Sequence, residues 1–360
     1  MLYEALYQLH DYFSPFNVFR YITFRTSLAV FTSLAVTFLV APRLIRWLKK
    51  ISMTQQIRDD GPGTHQTKAG TPTMGGIIIL IAVVASMLVW GNFTNVYITV
   101  VMVALVGFGT IGFIDDYLKV SRRNHKGLKG RYKFGAQMAL SLVIAVFLYA
   151  NPEDPYATVL SIPFFKKWLV DLGIFYVPFS ILVIVGSSNA VNLTDGIDGL
   201  AIGLVAIAAL ANSALVYLSG HAQFARYLQV IYLPGIGELT VFCGALLGAA
   251  LGFLWFNAYP AEVFMGDVGS LGLGGALGTL AVITKHEIVL VVVGGIFVIE
   301  TISVVLQVCS YRLTGNRIFR MAPIHHHFEL KGWPEPKVIV RFWIVGIVLA
   351  LLSLATLKLR

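Results

Sequence analysis

The sequence predicts an all-α, polytopic integral membrane protein with about ten transmembrane helices. Hydrophobic residues make up 57% of the 360-residue chain, and charged residues make up only 12%. Because soluble domains carry about 25% charged residues, this chain has too few charges to cover a globule of its size. The apolar content also excludes a disordered chain. Its apolar runs continue for about 20 residues, whereas the strands of a membrane β-barrel alternate over about 10.

Ten apolar runs have the length that crosses a bilayer. They cover residues 24–45, 74–92, 95–114, 133–151, 168–188, 199–219, 237–257, 264–284, 287–308 and 338–358. The eighth run contains the glycine-rich stretch GDVGSLGLGGALG, which favours close helix packing over a loop. Since no soluble domain fits between the runs, residues 1–360 are expected to form a single integral membrane domain.

The basic residues are distributed unevenly between the loops. Most of the 27 Lys and Arg residues follow the first, third and ninth runs. The positive-inside rule therefore predicts cytoplasmic odd-numbered loops and periplasmic termini. Loops that face anionic lipid account for the net charge of +9, so nucleic acid is not an expected partner.

Unusual polar residues occur in five segments, and each lies at an odd-numbered loop. The segments are GPGTHQTKAGTPTMGG (61–76), GFIDDYLK (112–119), SSNAVNLTDGIDGL (187–200), FNAYPAEVFMGDVGS (256–270) and MAPIHHHFELKGWPEP (321–336). A transport pathway would place polar groups at mid-membrane or on both faces. Convergence on one face predicts an active site at the cytoplasmic membrane surface.

Three aspartates in these segments are candidate metal ligands or proton acceptors. Asp115 and Asp116 are adjacent at the end of the third run, and Asp267 begins the eighth. The alternatives are a solvated helix end for the pair and a helix cap for Asp267. A carboxylate near a helix C-terminus opposes the helix dipole, which weakens the first alternative. Single carboxylates from different helices are typical of Mg²⁺ sites that also bind substrate phosphates.

The NAVNLTDGIDGL stretch spaces polar side chains three residues apart. Asn189 and Asn192 have this spacing, as do Asp195 and Asp198. Residues three apart share one face of a helix, and amides and carboxylates can bind sugar hydroxyls or a uracil edge. A helix cap with glycine turns would explain one of these residues but not four.

The consecutive histidines His325, His326 and His327 suggest zinc, but their spacing does not match a zinc-binding helix. Contact with a phosphate or a nucleotide is the favoured interpretation. Glu300, inside the ninth run, is expected to face the bundle, where a neighbouring helix satisfies its carboxylate.

At these positions the chain resembles the phospho-N-acetylmuramoyl-pentapeptide transferase family, a branch of the polyprenyl-phosphate N-acetylhexosamine-1-phosphate transferases. The resemblance covers residues 61–340. The motifs that carry it, in chain order, are GTPTMGG, GFIDDYLK, NAVNLTDGIDGLA, FLWFNAYPAEVFMGDVGSL and APIHHHFELKGWPEPKV. The aspartate pair and NAVNLTDGIDGLA are typical of the wider superfamily, whereas TPTMGG and APIHHHFE indicate this branch.

The resemblance implies a specific reaction in peptidoglycan synthesis. Phospho-MurNAc-pentapeptide passes from UDP-MurNAc-pentapeptide to undecaprenyl phosphate, giving lipid I and UMP. The resemblance also implies a Mg²⁺ cofactor, a multi-pass protein of the bacterial inner membrane and a homodimer. Direct attack and a covalent aspartyl intermediate are both compatible with the sequence.

The resemblance also assigns roles to individual residues. It implies that Asp115, Asp116 and Asp267 are catalytic, with Asp267 as the Mg²⁺ ligand. The residues it places in contact with substrate are Lys68, Asn189, Asn192, Asp195, Asp198, Asn257, Phe264, His325, His326 and His327.

Two other functions remain as alternatives. One is a sister transferase that moves GlcNAc-1-phosphate to the same lipid, against which the APIHHHFE loop argues. The other is a transporter, against which the one-sided distribution of polar residues argues.

Overall fold

The structure is a computed structural model of the chain. It describes residues 2–51, 70–121, 127–150, 156–162 and 168–358. Lys68 and most of the loop between the first two predicted spans therefore lie outside the described residues.

The described residues form helices and one short hairpin, which confirms the all-α prediction. The helices are α1 (Leu2–Gln8), α2 (Ile22–Lys50), α3 (Gly76–Trp90), α4 (Val96–Ser121), α5 (Gly130–Tyr149), α6 (Tyr176–Thr194), α7 (Leu200–Ser219), α8 (Ala222–Leu228), α9 (Leu239–Asn257), α10 (Gly266–Thr284), α11 (Glu287–Val293), α12 (Gly295–Thr314), α13 (Ile324–Glu329) and α14 (Glu335–Ala355). Strands β1 (Val159–Ser161) and β2 (Leu169–Asp171) pair antiparallel, with Leu160 opposite Val170. In lipid a helix satisfies its own backbone groups, which is why the apolar runs become helices.

The prediction of about ten spans is confirmed. Within the described residues, 9 helical stretches are long and apolar enough to cross a membrane, and α3 is apolar but shorter. Its 15 residues cover about 22 Å of a hydrocarbon core of about 30 Å. The backbone of the irregular segment before α3 is hydrogen-bonded to the segment before α10. The N–H groups of Gly75 and Gly76 donate to the carbonyls of Phe264 and Met265, both at 2.8 Å. Such pairing allows irregular backbone at membrane depth.

Several predicted spans differ in their boundaries: the first and third continue to Lys50 and Ser121, and the fifth and ninth also differ in their organisation. The fifth was predicted at residues 168–188, but residues 169–171 form strand β2 and the helix runs from Tyr176 to Thr194. Hydropathy does not distinguish a short apolar strand from a helix, and Asp171 stabilises the turn after the strand by accepting from the N–H of Gly173 (2.9 Å). The ninth, predicted at 287–308, is divided into α11 and α12 at Gly294, and α12 continues to Thr314.

Helix α10 lies at the centre of the bundle and packs mainly against α4 and α6. The glycine-rich eighth run is thus a buried helix, as predicted. A Cβ on Gly112 of α4 would lie 2.1 Å from the carbonyl oxygen of Asp267, and one on Gly76 would lie 2.1 Å from the amide nitrogen of Gly269. Only glycine permits these contacts, which bring the start of α10 against α3 and α4.

Candidate active site

Three carboxylates from two helices converge where α10 begins. Asp115 and Asp116 lie near the end of α4, and Asp267 is the second residue of α10. One oxygen from each of the three carboxylates lies within 4.8 Å of the others. The side chains of Asp115 and Asp116 are each 4% exposed and that of Asp267 is 14% exposed. The structure therefore brings together the aspartates that the sequence selected.

Two lysines contact this cluster, and sequence analysis did not single them out. The Nζ atom of Lys119 lies 2.7 Å from Asp115, 3.3 Å from Asp116 and 2.8 Å from Asp267. Lys133, at the start of α5, lies 2.6 Å from Asp267 and 3.4 Å from Asp115. The spacing in GFIDDYLK could have indicated Lys119, since it lies three and four residues after the pair. The cluster thus contains three carboxylates but only these two ammonium groups.

The adjacent aspartates point in different directions but converge on Lys119. Neighbouring helical residues point about 100° apart, and their second oxygens have different partners. Asp115 accepts from the N–H of Leu128 (2.7 Å), and Asp116 accepts from the N–H of Val268 (3.2 Å). These backbone contacts fix both side chains beside Asp267.

The two asparagines of NAVN lie in different surroundings. Asn192 donates to Asp267 (2.7 Å) and to the hydroxyl of Ser270 (2.8 Å), which places it at the carboxylate cluster. Asn189 instead donates to Gln137 of α5 (2.8 Å) and to the carbonyl of Val185 (2.8 Å). Asn189 thus joins α6 to α5 within the bundle.

Asp195 follows α6 and lies close to the start of α10. Its carboxylate lies against the backbone of Gly266, whose polar groups lower its pKa. Burial and the neighbouring carboxylates of Asp267, Asp116 and Asp198 raise the pKa of Asp195 to about 8. The pKa is raised because several carboxylates lie close together and partly away from water, so that ionising a further one is unfavourable.

Asp198 and Asn257 join loops through backbone groups. Asp198 accepts from the N–H of Ala261 (3.0 Å), while its own N–H donates to Glu335 (2.9 Å). Asn257 accepts from the N–H of Gly199 (3.0 Å) and donates to the carbonyl of Val263 (2.9 Å). Both side chains are buried, so the printed contacts hold the NLTDGIDGL and FNAYPAEVF loops together. Sequence analysis did not identify Glu335 as part of this arrangement.

Phe264 lies next to this junction, and its backbone pairs with the TPTMGG segment. Its N–H donates to the carbonyl of Pro72 (2.8 Å), and its carbonyl accepts from Gly75 (2.8 Å). The residue is half-buried, so part of it remains accessible beside Asp267.

The three histidines occupy α13 and have three different partners. His325 is fully buried, with Nδ1 3.2 Å from the Glu300 carboxylate. Nδ1 of His326 lies 2.7 Å from Glu329, and Nδ1 of His327 accepts from the N–H of Arg320 (3.1 Å). The expectation that Glu300 faces the bundle is confirmed, and its partner is a histidine of the adjacent short helix.

The cluster Asp115, Asp116 and Asp267 could hold a hard metal ion. Carboxylate oxygens are the ligands of hard divalent cations, and a dication would offset the surplus negative charge. The two lysines add charge that suits phosphate groups. The arrangement can therefore bind a cation and an anionic substrate at the end of an apolar bundle, which is the chemistry required for phosphoryl transfer.

Comparisons with known proteins agree with this geometry. The model of glycosyl transferase family 4 matches residues 97–285. A phospho-N-acetylmuramoyl-pentapeptide-transferase signature matches residues 68–80. These matches include both halves of the carboxylate cluster and the TPTMGG segment.

Curated relatives match along the whole chain. The phospho-N-acetylmuramoyl-pentapeptide-transferase of Thermodesulfovibrio yellowstonii is 70% identical, that of Oleidesulfovibrio alaskensis 57% and that of Citrifermentans bemidjiense 56%, each over 100% of both chains. Together with the apolar helices, these relatives show a multi-pass protein of the bacterial inner membrane. The chain belongs to the phospho-N-acetylmuramoyl-pentapeptide-transferase family.

Proposed function

We propose that this chain transfers phospho-MurNAc-pentapeptide from UDP-MurNAc-pentapeptide to undecaprenyl phosphate, releasing UMP and forming lipid I in peptidoglycan synthesis. One observation carries the proposal: the buried carboxylates of Asp115 and Asp116 and the partly buried carboxylate of Asp267 converge at one end of an apolar bundle. The names of the relatives and the matched signature support the reaction type.

The position of the cluster suits one soluble substrate and one membrane-bound substrate. The acceptor lipid keeps its chain in the bilayer, so its phosphate must react near the membrane surface. Exposed apolar side chains lie beside the cluster on α4 and α5, including Phe113 (40% exposed), Tyr117 (48%) and Phe134 (54%). Such a surface favours lipid contact, and it supports approach of the acceptor between these two helices.

We propose Mg²⁺ as the metal, held by Asp267 with Asp115 and Asp116 facing it. Mg²⁺ is bound through few carboxylates together with substrate phosphates, which agrees with this donor set. When bound, the ion supplies charge neutralisation and polarisation at a phosphoryl oxygen. Lys119 and Lys133 add positive charge beside the diphosphate, and Asn192 orients Asp267 through its hydrogen bond.

The proposed proton acceptor is Asp115, with Asp116 as its support. A phosphate monoester has a second pKa near 6, so at pH 7 the acceptor phosphate is largely ionised already. Asp115 therefore contributes more by orienting the nucleophile than by removing its proton. The N–H of Leu128 and the ammonium of Lys119 hold its carboxylate in place.

The donor site is proposed to surround the start of α10. Asp195, Asn192 and the accessible part of Phe264 line it, and Asp198, Asn257 and Asn189 hold the contributing segments. Lys68, which lies outside the described residues, and the histidines of α13 complete the proposed set.

We further propose one membrane domain over residues 1–360, a homodimer and a cytoplasmic active site with periplasmic termini. The distribution of basic residues supports this orientation. Reporter fusions after residues 50, 125 and 325 should report the cytoplasm, and fusions after 155 and 222 the periplasm. A periplasmic signal at 125 would contradict the orientation.

The deciding experiment measures UMP release by the purified protein from UDP-MurNAc-pentapeptide, with and without undecaprenyl phosphate. We expect UMP only when acceptor and Mg²⁺ are both present. A UDP-GlcNAc arm tests the sister transferase, and solute uptake into liposomes without UMP release would indicate a transporter. Absence of UMP from a folded, membrane-inserted protein would contradict the proposed function.

A further inference from the structure

Glu300 carries a carboxylate in the interior of α12, where an unpaired charge is costly. Its side chain is fully buried, and Oε2 lies 3.2 Å from Nδ1 of His325, which is also fully buried. Oε2 also accepts from the backbone N–H of His325 (3.5 Å). Among the described residues, Oε1 of Glu300 and both ring nitrogens of His325 have no hydrogen-bond partner. The carboxylate is therefore held against His325 by the backbone N–H of that residue and by the close approach of its ring.

The other edge of that ring lies against the loop between α6 and α7. A Cβ placed on Gly196 would lie 2.3 Å from Nε2 of His325 and 2.8 Å from its Cε1 atom. No real Cβ approaches a neighbour so closely, so the ring is seated directly on the backbone of Gly196. The position of the ring and the position of this loop consequently depend on each other.

This loop carries Asp195, the residue before Gly196. The Asp195 carboxylate lies against the backbone of Gly266, which is adjacent to Asp267. A series of contacts therefore runs from the buried pair Glu300 and His325 through the partly buried Gly196 and Asp195 to the start of α10.

We propose that Glu300 is a positioning residue: its carboxylate fixes the His325 ring, and the ring fixes the Asp195–Gly196 backbone that lines the donor site. The proposal rests on the proposed function in one respect, because it takes Asp195 as a donor contact. In this proposal His325 lies behind the Asp195–Gly196 loop and supports it. It gives a role to a carboxylate that the proposed reaction itself does not use.

The test compares Glu300→Leu with Gly196→Ala. Glu300→Leu keeps the volume and removes the partner of His325, whereas Gly196→Ala displaces the ring from the opposite side and leaves Glu300 unchanged. We expect each to raise the donor KM by about tenfold or more, as when one partner of a buried charged pair is lost, with the acceptor KM unchanged. Because both changes break one series of contacts, the double variant should lose little more than the worse single variant.

Hydrogen exchange provides a readout that does not need turnover. Peptides covering residues 190–200 contain the N–H groups of Asp195, Gly196 and Asp198, which are hydrogen-bonded in the native loop. These peptides should exchange faster in Glu300→Leu than in the wild type. Glu300→Gln, which retains an acceptor for the ring, should restore part of the donor KM and of the protection.

Glu287→Leu is the matched control, since Glu287 is a buried carboxylate at the opposite end of α10. It should lower stability but leave the donor KM and the exchange of 190–200 unchanged. Unchanged exchange of 190–200 in Glu300→Leu would overturn the positioning role, and so would faster exchange with a normal donor KM in an active enzyme. If residues 190–200 exchange faster in Glu300→Leu but the wild-type protein releases no UMP, the positioning role is supported and the proposed function is overturned instead.

Discussion

The two ends of α10 both bury charged groups, but they balance them differently. The end that follows Thr284 carries what we name the distal cluster, formed by Tyr176, Lys285 and Glu287. The Tyr176 hydroxyl donates to Glu287 and accepts from Lys285 (3.0 Å), and Lys285 also donates to the carbonyl of Ala157 (2.9 Å). One ammonium thus accompanies one carboxylate, and all three side chains are buried.

The opposite end, which begins at Asp267, has more carboxylates than ammonium groups. Asp115, Asp116 and Asp267 face Lys119 and Lys133, and Asp195 adds a further carboxylate nearby. An uncompensated buried charge is costly, so this end gains stability when a cation binds. Charge balance thus distinguishes a structural cluster from a functional one.

The largest effect is expected for Asp267→Asn. It removes the charge that both lysines and the proposed metal share, so kcat should fall by about 10²- to 10³-fold, as when a main electrostatic group is lost. Binding of Mn²⁺, followed by electron paramagnetic resonance, should weaken in parallel. Normal elution on gel filtration controls for folding. Near-normal turnover with normal Mg²⁺ dependence would contradict the assignment of Asp267 as a ligand.

Asp115→Asn should follow, with kcat reduced by about 10²-fold, the usual range for a lost general base. The amide keeps the shape of the carboxylate. If Asp115 removes a proton, the loss should shrink as the pH rises past about 6, where the acceptor phosphate ionises without help. A loss that is the same at every pH indicates that Asp115 orients the nucleophile. The measurement is kcat between pH 6 and pH 9. Full activity of the variant at pH 7 would rule out the base.

Because burial and neighbouring carboxylates raise the pKa of Asp195, the stability of the protein should depend on pH. The pKa of Asp195 rises from 3.8 to about 8 in the fold, so the folded state keeps a proton that the unfolded state releases. Rising pH between these values therefore destabilises the wild type. Without metal, Asp195→Asn should raise Tm relative to the wild type by about 2–4 °C at pH 8 and by less at pH 5. An equal Tm difference at both pH values would contradict the raised pKa.

The smallest effect on turnover is expected for Glu287→Leu in the distal cluster. Removing this carboxylate should lower the free energy of unfolding by about 3 kcal/mol, because the Tyr176 hydroxyl loses its acceptor and the buried Lys285 ammonium loses the carboxylate that accompanies it. Yet kcat should stay within about twofold, since turnover depends on the other end of α10. A large loss of kcat at unchanged stability would contradict a purely structural role for the distal cluster.

Part of the candidate site could be predicted because it is local in the sequence. The Asp115–Asp116 pair, the spacing of NLTDGIDGL and the lone Asp267 are visible without a fold. The lysines differ in this respect. Lys119 and Lys133 belong to a basic stretch of sequence that the positive-inside rule already explains. The spacing after the aspartate pair could have indicated Lys119, but nothing in the sequence indicated Lys133.

Hydropathy and charge are properties of short segments, so the amino-acid sequence alone predicts the membrane environment, the ten apolar elements and the gathering of the polar motifs at one end. Which polar groups meet depends instead on how the helices pack. Glycines at 76 and 112 let α3 and α4 approach α10, and that approach places Asp267 beside the aspartate pair. The contact of Glu300 with His325, and of His325 with Gly196, depends on packing between segments far apart in the chain, which no local pattern encodes.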